Sequence, residues 1–202
     1  MSTLDPFYPI VDSAAWVGRL VGAGAKLVQL RIKDATQDHL RRELHHAMTI
    51  CRRSGAELVV NDHWELAIDA GAGWVHLGQT DLDDADIAAL RTHNIGLGIS
   101  THSREELDRA RSFDPGYVAL GPIFPTTLKV MPFAPQGLER IAEWKQLIGE
   151  CALVAIGGLD LERAKQCLAA GADSVAVVSD ITLNPDPEAR VKAWLAMTPR
   201  ED

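Results

Sequence analysis

The chain alternates short apolar runs with longer segments of helical periodicity. The apolar runs predict eight strands, at residues 7–11, 27–32, 58–60, 74–77, 95–99, 117–120, 153–156 and 174–178. Between them, apolar side chains recur every three or four positions, for example at residues 38–53, 105–112, 136–148, 161–169 and 187–197. This alternation of strand and helix predicts right-handed βαβ units with a parallel sheet.

The number of units decides between two kinds of parallel α/β protein. An open doubly wound sheet usually has about five or six strands, whereas eight equal units favour a closed (β/α)8 TIM barrel. The chain has 202 residues, near the short end for such a barrel, and no linker or low-complexity segment divides it. We therefore predict a single TIM-barrel domain over residues 1–202, with its active site at the carboxyl ends of the strands.

Several helix starts are indicated by capping residues. Thr36 and Asp160 are expected N-caps. Ser103 and Glu106 fit a capping box, in which each side chain bonds the other residue's backbone N–H. The acidic run at residues 81–86 predicts the N-terminal turn of a helix, where carboxylates are favoured by the helix dipole.

Composition narrows the classes of function. Asp plus Glu number 28 against 20 Lys plus Arg, a formal net charge of −8, which argues against binding to nucleic acid or an anionic membrane. Three cysteines without a C-x-x-C pair indicate a reduced compartment. Residues 1–11 resemble no secretory signal, and no run of about 18 apolar residues occurs, so we expect a cytoplasmic protein.

Polar side chains interrupt the apolar pattern at the end of the second predicted strand. Gln29, Arg31 and Lys33 alternate with apolar residues, so a period of two puts all three on one face, toward the barrel mouth. Two cations on that face need anions to meet them. Two interpretations remain open: an internal ion pair with Asp62 or Asp81, or an anionic ligand for which phosphate has suitable geometry.

Asp62 and Asp81 follow adjacent predicted strands. Two carboxylates that lie close together repel each other unless a positive group lies between them. Lys33 could lie there, and so could Mg²⁺, which proteins commonly bind through one or two carboxylates together with phosphate oxygens. The combination of carboxylates, cations and Mg²⁺ predicts a diphosphate-binding site.

A second anion site is indicated after the seventh predicted strand. Gly157 and Gly158 precede a helix start, in the region of a TIM barrel that often binds phosphate through free backbone N–H groups. The alternative is that these glycines only form a tight turn. Two anion sites at one mouth predict two phosphorylated reactants or one bisphosphate. His76, inside the fourth predicted strand, is interpreted either as a hydrogen-bonded core residue or as a base.

Eight short motifs then occur in the order of one known family. They are YPIVD at 8–12, QLRIKD at 29–34, VND at 60–62, VHLGQTDL at 75–82, GISTH at 98–102, LGPIFPT at 120–126, VAIGG at 154–158 and VVS at 177–179. Over nearly its whole length the chain resembles thiamine phosphate synthase. The resemblance implies a TIM barrel that joins hydroxymethylpyrimidine diphosphate to hydroxyethylthiazole phosphate, with Mg²⁺ as cofactor. The implied partners are these two phosphorylated small molecules, and a homodimer is left open.

The resemblance also implies roles for individual residues. The residues implied to bind the pyrimidine diphosphate are Gln29, Arg31, Lys33, Asn61, Ser100 and Lys129. Those implied to receive the thiazole phosphate are Thr126, Gly158, Val178 and Ser179. Asp62 and Asp81 would hold Mg²⁺, and Arg31, Ser100 and Lys129 would act in the reaction, with Ser100 near the reacting carbon. The implied reaction loses pyrophosphate to leave a pyrimidine-methyl cation, which the thiazole nitrogen attacks, so no strong base is required.

Two positions depart from the family pattern. Leu128 stands in the loop after the sixth strand, where a hydroxyl is expected. Asp180 follows Ser179 in place of a small residue, and its carboxylate is expected to repel a phosphate unless it points away. Two alternatives remain: a relative of thiazole tautomerase, which shares the barrel but does not use the diphosphate site, and, from another class, a non-catalytic ligand-binding barrel that has lost turnover through Leu128 and Asp180.

Overall fold

The computed structural model describes residues 4–126 and 134–198. Its elements, in chain order, are β1 (Phe7–Val11), α1 (Ala14–Gly22), β2 (Leu27–Leu30), α2 (Gln37–Ser54), β3 (Glu57–Asn61), α3 (Trp64–Ala70), β4 (Trp74–Leu77), α4 (Ile87–Thr92), β5 (Gly96–Thr101), α5 (Arg104–Ser112), β6 (Tyr117–Leu120), α6 (Gly137–Ile148), β7 (Ala152–Ile156), α7 (Leu161–Ala169), β8 (Ser174–Val177), α8 (Ser179–Thr182) and α9 (Pro187–Met197). A 3-10 turn, Asp81–Asp83, precedes α4.

The eight strands form one closed parallel barrel. Each strand pairs with the next along the chain, and β8 pairs back with β1, with Tyr8 opposite Ala176. Asn61 lies opposite His76 where β3 pairs with β4, and Ser100 lies opposite Ala119 where β5 pairs with β6. The predicted TIM barrel is confirmed.

Strand ends differ slightly from the prediction. β2 ends at Leu30, earlier than predicted, although the backbone N–H of Arg31 still donates to Val11 O at 2.8 Å. β5 continues to Thr101, so Ser100 lies on a strand and not after it. Where a ladder ends depends on the neighbouring strand as well as on local sequence, so a single strand's pattern gives its end only approximately.

The predicted caps are confirmed with one change. Thr36 and Asp160 cap α2 and α7 through their side chains. Ser103 caps α5 by accepting a hydrogen bond from Glu106 N at 3.3 Å. The Glu106 carboxylate, however, accepts from His102 N at 2.6 Å rather than from Ser103 N, so only half of the expected capping box forms.

The apolar core has two parts, separated by the barrel wall. The larger part lies between strands and helices and includes the fully buried Trp144 and Trp194. The smaller part fills the barrel and consists of Tyr8, Ile10, Leu27, Val59, Tyr117, Ala119, Val154 and Ala176. Because side chains pack the interior, a ligand has room only at the mouth.

The structure also bears on the expectations about cysteines and about membrane-spanning segments. All three cysteines are free thiols. Between residues 4 and 126 and between 134 and 198, no helix is both long and apolar enough to cross a membrane.

Candidate active site

The carboxyl ends of β3 and β4 bring Asp62 and Asp81 close enough for their charges to interact; we call them the acid pair. Burial raises the pKa of Asp62 above its ordinary value, and the neighbouring Asp81 raises this pKa further. Arg31, His63 and Lys33 lower it to a lesser degree. The net shift is upward, so the surrounding cations do not offset burial and repulsion.

The cations at this side of the mouth are not tied to the acid pair. Within the described residues, neither Arg31 nor Lys33 forms an ion pair with any carboxylate. Arg31 is half-buried, and Lys33 is exposed. The internal ion pair with Asp62 or Asp81, one of the two interpretations of these cations, is therefore wrong. Among the described residues, positive and negative groups therefore lie near one another at this side of the mouth without direct pairing.

Asp81 is held by its own loop. Its Oδ2 accepts a hydrogen bond from Gly78 N at 2.9 Å. Arg109, from α5, fixes the same loop by donating to Gln79 O at 2.7 Å and to Asp83 Oδ1 at 2.6 Å. The acidic run thus begins with a 3-10 turn and not with the expected first turn of the helix.

The backbone of Asp62 has an unusual conformation and a hydrogen bond to the neighbouring strand. Its φ of 63° lies in the left-handed region, which Asp tolerates better than most residues but which still costs energy. Its N–H donates to His76 O at 2.9 Å, extending the pairing of β3 with β4 by one step. Asn61, the last residue of β3, is 5% exposed. Unusual backbone geometry concentrates at functional sites, and here it turns a carboxylate out of the strand at the mouth.

The acid pair fits a metal ion that is shared with a ligand. Within the described ranges, no group of three or more His, Cys, Asp or Glu could hold a metal by itself. Asp62 and Asp81 offer two carboxylates, which is the protein contribution usual for Mg²⁺ bound together with phosphates. A divalent cation between them would also remove the repulsion that raises the pKa of Asp62.

Ser100 lies beside this group and is held from two sides. Its Oγ is 2.8 Å from His76 Nε2, and its backbone oxygen accepts from Gln79 Nε2 at 2.7 Å. Both ring nitrogens of His76 have partners, the other being Tyr117 Oη at 2.9 Å. Burial lowers the pKa of His76 to about 4, so the ring is neutral near pH 7. The structure therefore supports the interpretation of His76 as a hydrogen-bonded core residue and not a base.

The two glycines after β7 form the turn that the alternative interpretation required. Their φ angles, 101° for Gly157 and 67° for Gly158, belong to the region that favours glycine. A Cβ on Gly158 would also collide with Pro125 O. Phe124 N donates to Gly157 O at 3.1 Å, which joins the loops after β6 and β7. The turn needs glycine with or without a ligand, so these residues alone do not distinguish the two interpretations.

The remaining residues expected at the thiazole phosphate follow β6 and β8, the two strands that pair with β7. Thr126 is half-buried at the end of the first described range. Ser179 begins the short helix α8, and the backbone oxygen of Val178 accepts from the N–H groups of Ile181 and Thr182. Lys129 and Leu128 lie outside the described residues.

Comparison with known proteins settles the family. A family model described as thiamine monophosphate synthase matches residues 7–181. The chain belongs to the thiamine monophosphate synthase family. Family membership confirms the resemblance and makes the chain an enzyme of the transferase class.

Individual relatives agree with this family. A thiamine-phosphate synthase of Rhizobium etli is 56% identical over 195 residues, covering 96% of each chain. One of Neisseria meningitidis serogroup B is 51% identical over 191 residues, covering 95% of this chain and 93% of the relative. Among solved structures, the thiamine phosphate pyrophosphorylase from Pyrococcus furiosus matches with a TM-score of 0.82 at 26% identity, covering 95% of this chain and 94% of that one.

The departure from the family pattern at Asp180 has a structural explanation. Arg190, in α9, donates to Asp180 Oδ1 at 2.8 Å and to Oδ2 at 2.7 Å, and Trp194 Nε1 donates to Oδ2 at 2.7 Å. The Asp180 side chain is 16% exposed. The expectation that this carboxylate repels a phosphate is therefore wrong, because Arg190 neutralises the charge and Trp194 helps to hold the side chain in place.

Four residues at the mouth and in the interior of the barrel had no role assigned from the sequence. They are Tyr8, Tyr117, Gln79 and Arg109. The two tyrosines bond each other through their hydroxyls at 2.7 Å inside the barrel. Gln79 has a buried Oε1 that lacks a partner within the described part of the chain. The one sequence signal was that both tyrosines occupy inward positions of predicted strands, where a polar tip needs a buried partner.

Proposed function

We propose that the chain is a thiamine phosphate synthase that condenses hydroxymethylpyrimidine diphosphate with hydroxyethylthiazole phosphate and releases pyrophosphate, with Mg²⁺ as cofactor. The observation that carries the proposal is the acid pair with Arg31 and Lys33 nearby, none of which forms an ion pair within the described residues. Charges of both signs, unpaired at the open end of a packed barrel, suit a diphosphate and its metal.

On the pyrimidine side, the proposed roles follow from residue chemistry. Arg31 would contact two diphosphate oxygens through its forked guanidinium, and Lys33 would supply a point charge. Lys129, outside the described residues, would add a third cation to the leaving group. Gln29 is 2% exposed and lies opposite Val59 of β3. Asn61, at the end of β3, is 5% exposed, and both residues would contact the buried part of this substrate.

On the thiazole side, the proposed phosphate site is made mostly of backbone. The turn at Gly158 and the start of α8 at Ser179 would present N–H groups to the phosphate, with the Thr126 hydroxyl nearby. Val178 would line the same site. The Asp180 carboxylate does not oppose this role, since Arg190 holds it by two hydrogen bonds.

The reaction proposed for this site is dissociative. Pyrophosphate leaves the pyrimidine, the cation that remains is stabilised by the ring amino group, and the thiazole nitrogen attacks it. When bound, Mg²⁺ supplies charge neutralisation at the diphosphate. Arg31, Lys33 and Lys129 would stabilise the leaving group electrostatically, and the two phosphate sites would align the reactants. No strong base is needed, which agrees with the buried, neutral state of His76.

The test is product formation by the purified chain. With both precursors and Mg²⁺ we expect thiamine phosphate and pyrophosphate in equal amounts, and no product when either precursor is omitted or excess chelator is added. No thiamine phosphate under the complete conditions would overturn the proposal. Conversion of the thiazole alone would then indicate the tautomerase-like alternative, and pyrophosphate binding without product would indicate a non-catalytic barrel.

A further inference from the structure

A continuous chain of hydrogen bonds crosses the barrel interior from Gln29 to Ser100. Gln29 Nε2 lies 2.7 Å from Tyr8 Oη, and Tyr8 Oη lies 2.7 Å from Tyr117 Oη. Tyr117 Oη is 2.9 Å from His76 Nδ1, and His76 Nε2 is 2.8 Å from Ser100 Oγ. The chain links β2, β1, β6, β4 and β5, and its two tyrosines are at most 1% exposed.

The amide of Gln29 determines the direction in which protons are donated along this chain. Gln29 Nε2 is a donor, so Tyr8 Oη accepts there and has one hydrogen to donate elsewhere. Tyr117 Oη is its remaining partner, so Tyr8 donates to Tyr117. Tyr117 in turn donates its single hydrogen to His76 Nδ1. Reversing the bond between the tyrosines or the bond to His76 would leave a buried hydroxyl hydrogen without an acceptor, which is unfavourable.

The direction of the chain then fixes the tautomer of His76. A neutral imidazole carries one proton, and Nδ1 cannot hold it while accepting from Tyr117. The proton is therefore on Nε2, which donates to Ser100 Oγ. Ser100 Oγ accepts this bond and keeps its own hydrogen, for which the described residues offer no acceptor.

We propose that this buried chain fixes the hydroxyl of Ser100 as a hydrogen-bond donor toward the barrel mouth, with Tyr117 and His76 as positioning residues. Gln79 holds the Ser100 backbone from the other side, at 2.7 Å, so both the position and the hydrogen of the serine are set before a ligand arrives. Preorganised donors of this kind need no reorientation during the reaction. The acceptor is an atom of the pyrimidine substrate, an assignment that rests on the proposed function.

The tautomer is the first test, and it needs no substrate. Protein labelled with nitrogen-15 in histidine is studied by long-range proton–nitrogen correlation near pH 7, with His76→Gln assigning the signals. We expect His76 Nε2 to be protonated and Nδ1 to be unprotonated. The opposite tautomer would reverse the chain, make Ser100 an acceptor, and overturn the proposal.

Two Tyr→Phe variants distinguish the individual hydrogen bonds of the chain. In Tyr117→Phe, nothing donates to His76 Nδ1, so the nitrogen-15 shifts are expected to move toward a mixture of tautomers. In Tyr8→Phe, the Tyr117 hydroxyl still has His76 as acceptor, so the wild-type tautomer should remain. Both variants lose one buried hydroxyl, so thermal melts provide the control for folding. An unchanged tautomer in Tyr117→Phe would refute the role of Tyr117.

The second test asks whether the chain of hydrogen bonds affects the reaction through Ser100. Tyr117→Phe is expected to lower kcat by about two- to tenfold, the equivalent of one hydrogen bond, with a smaller change in KM. In a Ser100→Ala background the same change should have no further effect, because the group that it positions is absent. An equal loss in both backgrounds would contradict the proposal. If the wild type makes no thiamine phosphate, the proposed function fails, while the tautomer result stands independently.

Discussion

Asp62 and Asp180 are both carboxylates at the carboxyl end of the barrel, but the protein surrounds them differently. Asp180 accepts hydrogen bonds from Arg190 and Trp194 at 2.7–2.8 Å. Asp62 has no ion-pair partner within the described residues, and burial together with Asp81 raises its pKa. Removing one partner of a neutralised pair destabilises the fold, whereas a carboxylate whose pKa is raised by a neighbouring like charge is a candidate for a functional site.

The difference can be measured because a ligand-binding carboxylate and a structural carboxylate affect different quantities when they are substituted. Substitution in the acid pair should change turnover and leave the fold intact. Substitution of Asp180 should change the free energy of unfolding and leave the chemistry of folded molecules nearly intact.

The largest effect is expected from removing the acid pair. Asp62→Ala and Asp81→Ala should each lower turnover by about 10²- to 10³-fold, because the charge stabilisation that a metal gives to a leaving group amounts to several kcal/mol. Steady-state assays with both precursors, at several Mg²⁺ concentrations, measure this loss. Asp84→Ala, an exposed member of the same acidic run, is the matched control and should retain activity.

A substitution at Asp62 should affect stability in the direction opposite to its effect on turnover. A raised pKa means that folded Asp62 holds its proton more tightly than the unfolded chain does, so its ionised form opposes folding above the folded pKa. Asp62→Asn should therefore stabilise the metal-free protein near pH 7. The gain should vanish as the pH falls below the ordinary value for Asp. Urea midpoints across pH measure it, and a clear loss of stability at pH 7 would show that Asp62 is a structural ion.

The free energy of unfolding should depend on pH through His76, in the interior of the barrel. Burial, assisted by Arg31, lowers the pKa of His76 from 6.5 to about 4, so the unfolded chain binds more protons than the fold between these values. Stability should be complete above pH 6.5 and should fall by about 3 kcal/mol as the pH approaches 4. His76→Gln should flatten this part of the urea-midpoint profile, with the exposed His45→Gln as control. An unaltered slope in His76→Gln would mean that another group titrates.

A smaller effect is expected at Asp180. Asp180→Ala should lower the free energy of unfolding by about 2 kcal/mol, since Arg190 and Trp194 lose their acceptor at a partly buried position. The KM for thiazole phosphate should change little. Arg190→Met, by contrast, leaves the carboxylate unpaired, so this KM should rise, and rise most at low salt. A lower KM in Asp180→Ala would restore the repulsion that the structure argues against.

How much of this could be read from the sequence depends on the range of each interaction. Strand patterns and caps such as Thr36 are local, so the eight-strand barrel followed from them. The acid pair followed too, because barrel topology brings successive strand ends together. The partner of Asp180 is different, since any of several basic residues could have reached it. Tyr8 and Tyr117 are 109 positions apart, and only the closed structure shows that their hydroxyls meet.

The smallest effect tests how finely the acid pair is positioned. Gly78 N donates to Asp81 Oδ2 at 2.9 Å, and a Cβ on Gly78 would lie 2.8 Å from the same oxygen, closer than such contacts allow. Because the obstructing atom is the end of a flexible side chain, Gly78→Ala should cost little stability but should displace the carboxylate. The Mg²⁺ concentration for half-maximal activity should rise roughly three- to tenfold, the equivalent of about 1 kcal/mol. Gly73→Ala is the matched control, because a Cβ there meets no atom within 4 Å. Equal Mg²⁺ dependence in both variants would mean that the position of Asp81 does not limit metal use, and the contrast between the acid pair and Asp180 would then rest on Asp62 alone.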